Sequence, residues 1–242
     1  AFRVPSATLL AVLAAAEAPS NAGAPAPPAG LLVLTGRELP EELRLPGAEA
    51  EVRWLRRSFR RVRVAAGIPA AWGAGSDTAR ALDALAALAA GREVLHVAAH
   101  AEAFDQRPWN SRVLLGAGAH GRPVHLEAAA IAARRLDPRL AVLSGCETAG
   151  GRVLSGEGVL GLTGAFLSAG ARATVVALWP VDDVATERLM RGFYRELAEG
   201  WTVAGALRRA QAALAAVPET SDPFYWAGFV VVGDGGITVA LA

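Results

Sequence analysis

The chain alternates short, continuously apolar runs with longer stretches in which apolar residues recur every three or four positions. The continuous runs are Leu31–Thr35, Val62–Ala65, Glu93–Ala98, Leu140–Ser144, Ala173–Leu178 and Phe229–Val232. Runs of this length with no polar alternation predict strands covered on both faces. Helical periodicity covers Glu49–Phe59, Thr78–Ala90, Leu126–Leu136, Val159–Ala169, Val184–Ala198 and Val203–Val217. Asp77 or Ser76, then Asp183 and Thr202, stand where a side chain would cap a helix start, and Gly91, Gly170 and Gly200 follow helix ends. Strand and helix in regular alternation predict an α/β fold: a mostly parallel central sheet of about six strands with helices on both faces. No repeat of solenoid length is visible, and residues 1–242 read as one domain. Within 1–30, a short helix over Ala7–Ala16 is expected to lead through a Pro- and Gly-rich linker, Pro19–Gly30, into the sheet.

Composition narrows the function classes. Apolar residues make up 53% and charged residues 19%, enough for a sizeable core and too few charges for a disordered chain. All 24 basic residues are arginine, yet the net charge is only +1, so no broad field for nucleic acid or anionic lipid is expected. The one basic cluster, Arg53, Arg56, Arg57, Arg60, Arg61 and Arg63, is interleaved with Val52, Leu55 and Phe59 and reads as the wet face of an amphipathic helix. A single cysteine rules out an intrachain disulfide and a multi-cysteine metal site, and fits a reducing, cytoplasmic setting. Ala7–Ala16 is too short to span a bilayer, so no membrane partner is expected.

Two predicted strands end in reactive residues. Glu93–Ala98 runs into Ala99-His100-Ala101, and Leu140–Ser144 into Gly145-Cys146-Glu147. Functional groups of open parallel sheets gather outside the carboxyl ends of strands. If the two strands are neighbours, an imidazole and a thiol share one sheet edge, the requirement for a Cys–His nucleophile pair. His100 precedes Cys146 by 46 positions, and caspases place their catalytic His about 50 residues before the Cys.

The words around these residues are more specific. Leu95-His96-Val97-Ala98-Ala99-His100, with Ser111 and Leu114 after it, resembles the histidine motif of the CHAT family, a caspase–separase relative. Val142-Leu143-Ser144-Gly145-Cys146-Glu147-Thr148 resembles that family's cysteine motif. Gly156-Glu157-Gly158, Ala169-Gly170-Ala171, Leu178-Trp179-Pro180-Val181-Asp182-Asp183, Phe193-Tyr194 and Tyr225-Trp226-Ala227 follow in the family's order, so the resemblance covers nearly the whole chain. Two positions depart from it: Ala101 replaces the usual Gly after the histidine, and Gly145 the usual Ala before the cysteine, a change expected to be tolerated.

The resemblance implies a caspase-like three-layer sandwich, within a longer bacterial protein, acting as a cysteine endopeptidase. Cys146 would be the nucleophile, His100 the acid/base, and the backbone N–H groups of Ala101 and Cys146 the oxyanion hole. Neither cofactor nor metal is implied. The partners implied are a protein or peptide substrate and an activating sensor or repeat domain, in cis or in trans. Ser144 holds the place where several relatives read a basic substrate side chain, which argues against an Arg/Lys pocket built there. Asp182 and Asp183 would line the cleft or cap a helix, and Asp105 is a further cleft candidate. His96 reads as a buried, hydrogen-bonded residue sharing a strand face with His100. Glu147 and Glu157 would brace the loop after Cys146, while His120 and His125 look like loop and helix-start residues. Two rivals stand beside this reading: a catalytically silent CHAT-like scaffold, motivated by Ala101 and by the inactive members such a family includes, and a nucleotide- or cofactor-binding domain using Gly156–Gly161, which matches G-x-G-x-x-G without the strand that fingerprint needs before it.

Overall fold

The structure, a computed structural model, describes residues 2–3, 30–36, 41, 44–67, 78–90, 92–104, 106–117, 123–145 and 157–241. Its main sheet contains β1 (Phe2–Arg3), β2 (Gly30–Thr35), β3 (Val62–Ala66), β4 (Arg92–Ala98), β8 (Leu140–Leu143), β9 (Ala173–Ala177) and β10 (Phe229–Gly233). The spatial order is β1-β10-β9-β8-β4-β2-β3, with the contiguous block β3-β2-β4-β8-β9 all parallel. Only β10 runs antiparallel to its neighbour β9, and the short β1 lies parallel to β10. All six strands expected from the apolar runs are present.

Helices α1 (Pro46–Ser58), α5 (Asp183–Ala198) and α6 (Val203–Ala215) cover one face. Helices α2 (Thr78–Ala89), α3 (Ala128–Ala132) and α4 (Glu157–Ser168) cover the other. A four-residue helix α7 (Pro223–Trp226) precedes β10. The period of two along each strand divides the core between these layers. Leu31, Val33, Val94, Leu140, Val142 and Val175 meet α1, α5 and α6, whereas Leu32, Leu34, Leu95, Val97, Leu143 and Val176 meet α2, α3 and α4. Each fully buried Leu or Val contributes roughly 1.5–3 kcal/mol, against about 1 kcal/mol for a helix cap. Burial therefore holds the layers together, and caps decide where helices begin.

The caps differ from expectation in one informative way. The N-cap of α5 is Asp182, not Asp183: its Oδ1 accepts from Ala185 N at 2.8 Å. Asp183 instead serves another helix. Its Oδ2 accepts from Gly47 N at 2.5 Å and its Oδ1 from Ala48 N at 3.2 Å, at the start of α1. The N-cap residue of α1 itself, Leu45, supplies no side-chain bond. A carboxylate 136 positions away thus satisfies the free N–H groups and faces the positive end of the helix dipole. Thr202 caps α6 as expected, accepting from Gly205 N at 3.2 Å.

Three other expectations change, and one falls outside the described residues. Leu126–Leu136 is not one helix: Leu126 lies in β7 (Pro123–Glu127), and α3 spans only five residues. With β5 (Ala101–Glu102) and β6 (Arg112–Ala117), β7 forms a separate antiparallel sheet. His125 therefore lies in a strand, where burial and the nearby Arg112 lower its pKa. The basic cluster does not ride on one helix, because α1 stops at Ser58, Arg60 and Arg61 sit in a turn, and Arg63 is in the edge strand β3. Of the N-terminal helix and linker, Phe2–Arg3 is strand and Gly30 begins β2; residues 4–29, including Ala7–Ala16, lie outside the described residues.

A short 3-10 turn, Pro108–Asn110, links the small sheet to α4. A Cβ on Gly161 would overlap the backbone carbonyl of Pro108, so helix and turn meet there through backbone alone. Gly164, one turn further along, would place a Cβ 4.0 Å from the Trp109 ring, an ordinary contact.

Two outcomes follow for unfolding measurements. Asp183→Ala should lower stability by about 1–2 kcal/mol, seen as an earlier denaturant midpoint, while Asp183→Asn, which keeps an acceptor oxygen, should lose less. Gly161→Ala should cost about 1–3 kcal/mol through overpacking, whereas Gly164→Ala should be neutral or stabilising by up to about 1 kcal/mol through helix propensity. Equal melting temperatures for the two glycine variants would contradict the close approach at Gly161.

Candidate active site

Strands β4 and β8 are direct parallel neighbours, registered His96 to Val142 and Val97 to Leu143. The ladder extends one step further, with Ser144 N donating to Val97 O at 3.0 Å. The carboxyl ends leading to His100 and Cys146 therefore leave the same edge of the sheet, as the sequence requires for a shared site. The next residue, Gly145, lies against the backbone of Ala99. A Cβ there would stand 2.7 Å from Ala99 N and would overlap the Ala99 carbonyl. Glycine at 145 is thus more than tolerated: this approach of the two exits has no room for alanine.

His100 is 7% exposed, and its carbonyl accepts from Leu114 N at 2.8 Å. That bond fixes how Ala101 meets Val113. The two face each other across the small sheet as a narrow, non-hydrogen-bonded pair, so the Ala101 N–H points away from β6. Asp137 is the only non-glycine residue with positive φ among the described residues, so Ala101 does not sit in the left-handed region that would call for glycine. Cys146, Glu147 and Asp105, together with the side chain of Glu157, lie outside what the structure describes; Glu157 opens α4. His120 and Gly156 also lie outside it.

Beneath the edge is a polar cluster in an otherwise dry layer. His96 is 0% exposed, Tyr194 0%, Glu51 1% and Ser144 3%. His96 Nδ1 is 2.9 Å from Tyr194 Oη, and His96 Nε2 is 3.1 Å from Ser144 Oγ. Glu51 Oε1 lies 3.0 Å from His96 Nε2, a close contact in which that oxygen receives no aligned hydrogen bond. With Tyr194 O–H donating to Nδ1, the Nε2–H is left for Ser144 Oγ, whose own hydroxyl reaches Val97 O at 3.4 Å. Burial, then the Glu51 charge, push the Tyr194 phenol well above its usual pKa, keeping it a neutral donor.

A cleft of about 530 Å³ opens beside these strand ends. Thr35 at the end of β2 with Gly36 beyond it, and Ala98 at the end of β4 with Ala99 beyond it, form its floor; Leu45, Ala48 and Glu49 at the start of α1 form a wall. Glu41 and Arg44 complete it, and Arg44 lies 3.3 Å from Glu49. The last floor residue, Ala99, immediately precedes His100.

Several expected site residues sit elsewhere. Ser144 is buried against His96 rather than facing a cleft. Asp182 and Asp183 are helix caps, the second alternative weighed for them. His96 is the buried, hydrogen-bonded residue expected, and it lies on the face covered by α1 and α5. Glu51 and Tyr194 were not anticipated. One signal existed for Glu51: it falls on the apolar stripe Gly47, Ala48, Glu51, Leu55 of α1, where a carboxylate is out of place. Tyr194 is marked in the sequence only as half of the family word Phe193-Tyr194, with no role attached to it. Among the described residues, no three His, Cys, Asp or Glu side chains gather as a metal site, and no helix is long and apolar enough to cross a membrane.

Solved structures share this fold. The Saccharomyces cerevisiae separase–securin complex aligns with a TM-score of 0.58 and 11% identity, over 96% of this chain and 14% of that one. The Arg-specific cysteine proteinase gingipain R of Porphyromonas gingivalis aligns at 0.53 and 13%, over 88% and 48%. At such identities the likeness speaks for the fold, the caspase-like three-layer arrangement. In sequence, tetratricopeptide repeat protein 28 of Mus musculus is 38% identical over 112 residues and its Homo sapiens counterpart 35% over 108. The chain spans 4% of the length of either relative. The sequence pattern of the CHAT domain matches residues 2–234, and the chain belongs to the CHAT domain family.

Proposed function

We propose that the chain is a cysteine endopeptidase acting through Cys146 and His100. The observation that carries this reading is the β4–β8 pairing, which sends the His100 and Cys146 segments out of adjacent strand ends. The Cys146 thiol gives its proton to His100, and the thiolate attacks the scissile carbonyl. Collapse of the tetrahedral adduct breaks the C–N bond, and the imidazolium protonates the departing amine. Water, deprotonated by the same imidazole, then hydrolyses the thioester and restores the thiol. The Ala101 N–H, directed away from the β6 ladder, is available with the Cys146 N–H to hold the oxyanion, each such donor being worth about 3 kcal/mol. The absence of a positive φ at Ala101 supports a competent oxyanion hole there over a silent scaffold.

The cleft ending at Ala99 is positioned to take a substrate side chain, with Glu41, Arg44 and Glu49 giving it a polar rim. The substrate is a protein or peptide. A repeat or sensor segment, in cis or in trans, switches the site on; relatives named for tetratricopeptide repeats support the pairing of such a chain with repeats.

Treatment with a peptidyl acyloxymethyl ketone in the presence of the activating segment, followed by peptide mapping, should place the adduct on Cys146. Cys146→Ala should abolish labelling and cleavage, and His100→Ala should slow both by about 10²–10⁴-fold. Cleavage that persists in Cys146→Ala, or a wild-type Cys146 that stays unlabelled, would rule the reading out.

A further inference from the structure

We propose that Glu51, His96, Tyr194 and Ser144 form a positioning device for the catalytic pair, with His96 at its centre. The inference rests on the peptidase reading and deepens it by naming residues that set the geometry without touching substrate.

A buried carboxylate oxygen with no aligned donor, as Glu51 Oε1 is, is costly unless a neighbouring charge or proton compensates it. Here the compensation comes from one ring. His96 Nε2 lies 3.0 Å from Glu51 Oε1. The ring's other nitrogen is held by Tyr194, whose phenol is kept neutral by its surroundings. His96 is therefore fixed from α1 and α5 at once, and its Nε2 edge is presented to Ser144.

Both strands of the proposed site meet in this contact. His96 lies in β4, four residues before His100, and Ser144 follows β8, two residues before Cys146. The Ser144 hydroxyl is tied to the ring and its N–H to Val97 O, so the exit of β8 is fastened to β4 by side chain and backbone. Immediately beyond, Gly145 lies on Ala99 with no space between them. A shift of Ser144 has no slack in which to dissipate before the nucleophile. Removing the ring's hold on Ser144 loosens the spacing on which proton sharing between Cys146 and His100 depends, although no member of the cluster reaches the substrate.

The test is the pH dependence of Cys146 alkylation by iodoacetamide, located by peptide mapping, in wild type, Ser144→Ala, Tyr194→Phe and the double variant. Each substitution removes one hydroxyl and little volume, so folding should survive, with melting temperatures recorded alongside. We expect a wild-type midpoint below the free-thiol value of about 8.5. Each single variant should lose about five- to tenfold in rate at pH 7, with the midpoint moving toward the free-thiol value. The double variant should lose little more than either single one, as members of one network do. An activated wild-type thiol whose rate and midpoint are unchanged in both single variants would overturn the positioning role alone. A wild-type thiol with an ordinary midpoint and rate would overturn the peptidase reading, and this inference with it.

Discussion

The pairing of β4 with β8 is the constraint on which everything else depends. A parallel pair cannot be closed by a tight turn and needs a crossover of a dozen residues or more. Here the crossover holds the small sheet β5–β7 and the helix α3. This accounts for the separation of His100 from Cys146: the interval is occupied by structure that leaves one strand end and returns to the start of its neighbour. Ladder bonds contribute about 1 kcal/mol each net. Side chains on both faces, Leu95, Val97 and Leu143 on one and Val94, Leu140 and Val142 on the other, contribute more and fix the register.

The register then has a chemical effect. It places His96 on the α1–α5 face, one position out of phase with the leucines and valines that fill the opposite layer. A polar ring in a dry layer requires partners, and helices on that face supply them from Glu51 and Tyr194. Satisfied in this way, a buried polar cluster specifies one arrangement of the elements that contribute to it, which nonpolar contacts of the same volume would enforce less strictly.

Much of this was legible in the amino-acid order, and the failures have physical causes. Most of the six strands announce themselves because burial on both faces leaves no polar alternation to confuse them; the edge strand β3, with Arg63 exposed, is the exception. Residues 101–102 and 123–127 belong to strands too short, or too close to the alanine run 128–133, to stand out by periodicity. Leu126 was absorbed into a helical pattern for that reason. Asp182 and Asp183 both suit a helix start, and sequence cannot say that one caps its own helix while the other reaches α1. Glu51 and Tyr194 escape because their partner His96 is 45 and 98 positions away. The motif words around His100 and Cys146, by contrast, are local and read directly, in agreement with a fold that extends to proteins only 11–13% identical.

The reach of Asp183 bears on how such a cleft changes shape. The wall made by the start of α1 is moored to a carboxylate at the head of α5, just beyond the exit of β9. Its distance from the floor is accordingly governed by two stretches remote in sequence, 44–49 and 178–183. Replacing rim side chains would alter polarity while leaving the aperture intact. Widening or narrowing it demands a coordinated displacement of both stretches, so two segments remote in sequence set the width of the cleft together.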